Sequence, residues 1–156
     1  MPVFPTVSGN SESNSQQTIL FADDNSDFQQ PVAALLYKRG YSVITASDGT
    51  DAMQKARELD GPIHLLLSDV EMSGMSGIEL AIQVNQERPY TKILLISASD
   101  LGLIVRSYGW QFLRKPFMFD MLRGRIRDIL SEQPPTKEHL LACDGGLPFI
   151  RLLPLS

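Results

Sequence analysis

The chain is expected to fold as one α/β domain, a doubly wound parallel sheet of five strands with helices on both faces. Five short aliphatic or β-branched runs alternate with stretches whose apolar residues repeat at helical spacing. Consecutive βα units of this kind build a parallel sheet covered on both sides. The polar residues are ordered as well. Four of the runs, Thr18 to Ala22, Ile63 to Asp69, Lys92 to Ser97 and Gln111 to Lys115, deliver Asp23 and Asp24, Asp69, Ser97 and Lys115 to their C-terminal ends. In an open parallel sheet those ends share the rim where ligands bind.

Thr18 to Ala22 is the first strand. Asp27 to Arg39 then places Phe28, Val32, Leu35 and Leu36 at helical spacing before Gly40, a residue suited to a helix C-terminus. Tyr41 to Ala46 is short and β-branched and makes the second strand, and Asp48 to Leu59 repeats Ala52, Met53, Ala56 and Leu59 on one helical face. Gly61-Pro62 breaks the chain before the third strand, Ile63 to Asp69, and Ser76-Gly77 opens a helix through Glu87 with Leu80, Ala81 and Val84 inward. Lys92 to Ser97 is the fourth strand and Gln111 to Lys115 a short fifth. Met118, Leu122, Ile126 and Ile129 mark the last helix, ended by Pro134-Pro135. Residues 1–17, rich in Ser, Asn, Gln and Pro, read as a disordered leader without chemistry. Residues 18–132 form the domain, and 133–156 a tail or truncated linker whose apolar end calls for cover.

Composition narrows the function. At 156 residues, 43% hydrophobic and 21% charged, the chain can bury one core and is short for two domains. Its net charge of -4 offers no basic surplus for nucleic acid. No apolar run approaches the roughly 20 residues of a membrane helix, and no signal segment opens the chain. Cys143 is the single cysteine, so no intramolecular disulfide can form, in keeping with a reducing compartment. A cytoplasmic protein without direct nucleic-acid or membrane contact is expected.

Asp23, Asp24 and Asp69 at one rim repel: unit charges about 4 Å apart cost roughly 4 kcal/mol at an effective dielectric near 20. A divalent cation relieves that, and magnesium suits a few carboxylates because it is hard, keeps several waters and takes a phosphate oxygen readily. With a hydroxyl from Ser97 and an ammonium from Lys115, the set describes a magnesium-dependent site that accepts a phosphoryl group on Asp69. Singly, each residue has a plainer reading. Asp23 could cap a helix, Ser97 is common at a strand end, and Lys115 could be a surface lysine, although Pro116 favours extended geometry before it. His64, at the head of a core strand, reads as a structural histidine, and His139 has no assignable role. Met72 and Met75 read as loop packing.

Taken in order, Ile19-Leu20-Phe21-Ala22-Asp23-Asp24, Leu66-Leu67-Ser68-Asp69-Val70-Glu71-Met72, Leu95-Ile96-Ser97-Ala98 and Leu113-Arg114-Lys115-Pro116-Phe117 resemble the receiver domain of two-component response regulators. The resemblance covers about residues 18–132 and implies a flavodoxin-like fold of strand order 2-1-3-4-5. It implies Asp69 as phosphoacceptor, with a sensor histidine kinase or histidine phosphotransfer protein as donor. Magnesium would be held by Asp23, Asp24, Asp69 and the backbone carbonyl of Glu71. Lys115 and Ser97 would meet phosphoryl oxygens, and Phe112 would rotate inward when the Ser97 hydroxyl moves. Catalysis would be limited to the domain's own phosphorylation and dephosphorylation.

Three departures qualify the resemblance. Ser73 stands where the family usually has proline, and Ser97 replaces the commoner threonine. Lys115 follows Ser97 by 18 positions, about one helical turn fewer than usual, so a shortened fourth helix between Gly102 and Gly109 is expected. Two other readings stay open. A degenerate receiver-like binding module would not take phosphate. An aspartyl-phosphate phosphatase normally carries Asp two residues beyond its nucleophile, where this chain has Glu71.

Overall fold

The computed structural model describes residues 16–132. Most of the leader and all of the tail, with Cys143 and His139, lie outside them. The elements run β1 (Thr18–Ala22), α1 (Ser26–Lys38), β2 (Ser42–Ala46), α2 (Gly49–Glu58), β3 (Leu65–Asp69), α3 (Gly77–Glu87), β4 (Lys92–Ser97), α4 (Gly102–Ser107), β5 (Gln111–Arg114) and α5 (Phe119–Ser131). The strands form one parallel sheet of order β2-β1-β3-β4-β5. Gln17 already belongs to its edge, its carbonyl accepting from the Ser42 N–H at 2.9 Å.

Alternate residues of each central strand feed opposite faces. Ile19, Phe21, Leu65, Leu67, Leu94 and Ile96 pack beneath α1 and α5, against Ala33, Leu36, Leu122, Ile126 and Ile129. Leu20, Ala22, Leu66 and Leu95 pack beneath α2, α3 and α4, against Ala52, Met53, Ala56, Leu80, Ala81, Val84 and Val105. A strand covered on both faces reads as an apolar run, as in Leu65, Leu66 and Leu67 of β3, and the buried Ser68 that follows donates its hydroxyl to the Asp69 carbonyl at 2.8 Å. Each such fully buried Leu or Ile contributes roughly 2 kcal/mol.

Local signals set the helix ends. Asn25 caps α1 by accepting from the Asp27 N–H, Asp48 caps α2, and Ser76 with Glu79 makes a reciprocal capping box on α3. Gly40, at φ +101°, closes α1 in the left-handed region. One helix face differs from the sequence reading. Leu35 is 37% exposed, whereas Gln29 is buried, its amide nitrogen donating to Phe21 O (2.9 Å) and Ala46 O (2.8 Å). Those strand-end carbonyls need a donor, and Gln29 supplies it. His64 is structural, its Nδ1 accepting from the Thr18 N–H at 2.9 Å. The fourth helix is short, six residues, and Gly109 at φ +84° turns the chain into β5. Among the described residues no helix is long and apolar enough to cross a membrane.

Candidate functional site

Parallel pairing carries four strand ends to one rim. Asp23 and Asp24 follow β1, Asp69 ends β3, Ser97 ends β4, and Lys115 follows β5. The register sets Ala22 opposite Ser68, Asp69 opposite Ile96 and Ser97 opposite Arg114. Backbone hydrogen bonds extend the pairing one step further: Asp23 N–H to Ala46 O at 3.1 Å, Val70 N–H to Ile96 O at 2.9 Å, Lys115 N–H to Ser97 O at 2.9 Å. The Lys115–Pro116 peptide is cis. Asp23 and Asp69 are buried and Asp24 is exposed, and one carboxylate oxygen from each lies within 4.8 Å of the others.

Burial, more than any neighbour, governs the charges. The Asp69 carboxyl is pushed up to about 6 by loss of solvent, with Asp23 and Glu71 adding to the rise; Lys115 and the Glu71 backbone N–H oppose it. Asp23 is likewise raised by burial, against the Asn25 N–H at 2.9 Å from its Oδ1 and against Lys115. Lys115 Nζ stands 3.7 Å from Asp69 Oδ2 and 3.9 Å from Asp23 Oδ2, 4.5 Å above the Phe28 ring. One ammonium cannot neutralise three carboxylates. Asp23 Oδ2 and Asp69 Oδ1 are buried without a hydrogen-bond partner, a cost that a buried acceptor normally avoids. A small, hard cation among these oxygens removes both deficits, so the residues present fit a magnesium-sized ion.

The remaining expected residues are placed less uniformly. Ser97 is fully buried at the rim, but its hydroxyl donates to Glu71 Oε2 at 2.5 Å and accepts from the Ser99 N–H at 2.9 Å. Asp24 Oδ2 accepts from the Ser73 N–H at 3.1 Å, a donor that a proline in that place lacks. Phe112 lies already inward, buried in the core beneath α4. Met72 and Met75 pack against that same core. Sequence reasoning did not find the Glu71 side chain, known to it only as a carbonyl, or the Phe28 ring beneath Lys115. The pairing of Glu71 with Ser97 spans 26 residues and leaves no local pattern. Phe28 carried a signal only as an apolar residue in the first turn of the helix after the acidic pair.

A family model, the response regulator receiver domain, matches residues 19–127. Response regulator RR06 of Streptococcus pneumoniae is 33% identical over 115 residues, which cover 72% of this chain and 52% of that protein. The chain spans about half the length, or less, of the curated relatives it matches. Among solved structures, response regulator TrrA of Thermotoga maritima in complex with Mg(2+)-BeF is 28% identical, with a TM-score of 0.66 over 73% of this chain and 99% of that one. A structure of histidine kinase ThkA in complex with TrrA matches at 30% identity and a TM-score of 0.63, over 74% of this chain and 100% of that one. The strand order, the acidic rim and the family match over most of the chain agree: the chain belongs to the response regulator receiver family.

Proposed function

We propose that this receiver takes a phosphoryl group onto Asp69, in a magnesium-dependent reaction, from the phosphohistidine of a sensor histidine kinase or histidine phosphotransfer protein in the cytoplasm. The observation that carries the reading is the pair of buried carboxylate oxygens without partners, Asp23 Oδ2 and Asp69 Oδ1, beside one facing cation, Lys115. Asp23, Asp24, Asp69 and the Glu71 carbonyl would hold the ion. Bound there, magnesium supplies positive charge for the carboxylates and for a phosphoryl oxygen.

An Asp69 carboxylate oxygen forms the new bond to phosphorus while the P–N bond of the donor breaks. The imidazole, protonated on its other nitrogen, leaves neutral, and Asp69 is left as an acyl phosphate. Lys115 gives fixed charge to one phosphoryl oxygen, and the Ser97 hydroxyl gives a hydrogen bond to another. Support comes from the Mg(2+)-BeF and histidine kinase complexes of TrrA, a relative of the same fold. Intact-mass analysis after acetyl phosphate treatment tests the reading. One phosphoryl group should add with magnesium, none with chelator and none in Asp69→Asn; addition to Asp69→Asn would overturn the assignment.

A further inference from the structure

Two residues of the loop after β3 are tied to opposite sides of the acidic rim. Ser73 reaches back to β1, its N–H and Oγ lying 3.1 Å and 3.5 Å from Asp24 Oδ2. Glu71 reaches forward to β4 and takes the Ser97 hydroxyl at 2.5 Å. A serine has one O–H to donate, and the Ser97 oxygen already accepts from the Ser99 N–H. The hydroxyl proton can therefore serve Glu71 or a phosphoryl oxygen, not both.

We propose that Glu71 is a competing anion, holding the Ser97 hydroxyl until a phosphoryl group displaces it and thereby setting how tightly the site accepts that group. The inference rests on the phosphoacceptor reading above. Ser73 ties the loop to Asp24, so the displacement falls on the Glu71 side chain and not on the loop. Glu71 is exposed, so it can turn into water without breaking the core, and a phosphoryl group carrying more charge wins the hydroxyl. No oxygen ligand is lost when the side chain is removed, because the Glu71 contribution expected at the metal is its backbone carbonyl.

The test is beryllofluoride affinity at saturating magnesium for the native chain, Glu71→Ala, Glu71→Gln, Ser97→Ala and the Glu71→Ala/Ser97→Ala pair. Glu71→Ala should bind roughly tenfold tighter, the scale of one charge-assisted hydrogen bond that no longer has to be given up. Glu71→Gln, which keeps an acceptor and drops the charge, should fall between the two. In the Ser97→Ala background the gain from Glu71→Ala should shrink, since no hydroxyl remains to compete for. A second readout needs no metal: the Ser99 amide resonance should move in Glu71→Ala as the Ser97 oxygen it donates to is released. Equal affinity in native and Glu71→Ala, or a gain of the same size with and without the Ser97 hydroxyl, overturns the inference and leaves the phosphoacceptor reading standing. Failure of every variant, the native chain included, to bind beryllofluoride overturns that reading and this inference with it.

Discussion

Lys115 Nζ stands 3.7 Å from Asp69 Oδ2, close enough for an ion pair and too far for a hydrogen bond. Asp23 Oδ2 is 3.9 Å from the same ammonium, and the Phe28 ring lies beneath it. Lys115 is thus a charge shared between two buried carboxylates and committed to neither, free to turn toward a third oxyanion. Lys115→Ala should bind magnesium at least as well as the native chain, because the cation that opposes metal entry is gone. Phosphorylation by acetyl phosphate should slow by roughly ten- to a hundredfold, the range for losing one preorganised charge at a reacting oxygen. Magnesium titration and the rate of mass gain separate the two effects; a loss of metal binding would show that Lys115 builds the metal site.

The raised Asp69 carboxyl makes a prediction about stability. Burial lifts it from 3.8 to about 6, and Asp23 moves the same way. A carboxyl that holds its proton more tightly folded than unfolded stabilises the fold fully below about pH 4, and that contribution disappears as pH rises through about 6. In the presence of chelator, Asp69→Asn should therefore be more stable than the native chain at pH 7 by roughly 1–3 kcal/mol, and no more stable near pH 4. Magnesium should stabilise the native chain at pH 7 and help Asp69→Asn less. Urea unfolding of both proteins across this range is the measurement. A native chain more stable than Asp69→Asn at pH 7 without metal would mean the buried charge is already compensated.

Much of this geometry is legible before any coordinates. Leucine-rich runs bounded by Gly61-Pro62 and by acidic residues mark strands buried on both faces, and a parallel sheet then sends Asp23, Asp69, Ser97 and Lys115 to one edge whatever the detailed packing. The shortened α4 follows from counting residues between Ser97 and Lys115. What stayed hidden depends on long, rotatable side chains meeting groups distant in sequence. Leu35 matches the apolar period of α1 yet faces solvent, while Gln29, polar by composition, is buried because two strand-end carbonyls wait for its amide. Glu71 on Ser97 is of the same kind. Helical and strand periods describe faces; they do not say which polar group will satisfy another across the fold.

Gly77 holds the end of β3 in place by having no side chain. A Cβ there would overlap the Asp69 carbonyl oxygen and stand 2.8 Å from Val70 Cα. Both are backbone atoms beside the site, so the strand end itself must give way. Gly77→Ala should cost about 1–3 kcal/mol in urea unfolding and weaken magnesium binding by displacing Asp69. Gly124→Ala, in α5, is the control, because its Cβ meets only the Arg127 Nη2, at 3.8 Å, an ordinary van der Waals contact. Equal losses at the two glycines would show that the β3 end tolerates the shift.

The weakest element should be α4. It has six residues, its N-cap Leu101 supplies no side-chain hydrogen bond, and its buried residues are Gly102 and Val105. Leu103 is 83% exposed and Ile104 51%, so the helix leaves apolar surface in water where α3 buries its own. A missing cap alone costs about 1 kcal/mol, and a helix this short is held by packing, not by its own hydrogen bonds. Local opening should therefore precede global unfolding here. Native-state hydrogen exchange should find the amides of Val105, Arg106 and Ser107 at least roughly tenfold less protected than those of Ala81 and Val84 in α3, which the Ser76–Glu79 capping box secures. Beryllofluoride with magnesium should raise protection in α4 more than in α3, since the loop from Ser97 to α4 is short and the proposed phosphoacceptor role would draw the Ser97 hydroxyl to the bound group. Matching protection in the two helices, unchanged by beryllofluoride, would place α4 in the global folding unit and remove it as the element that responds.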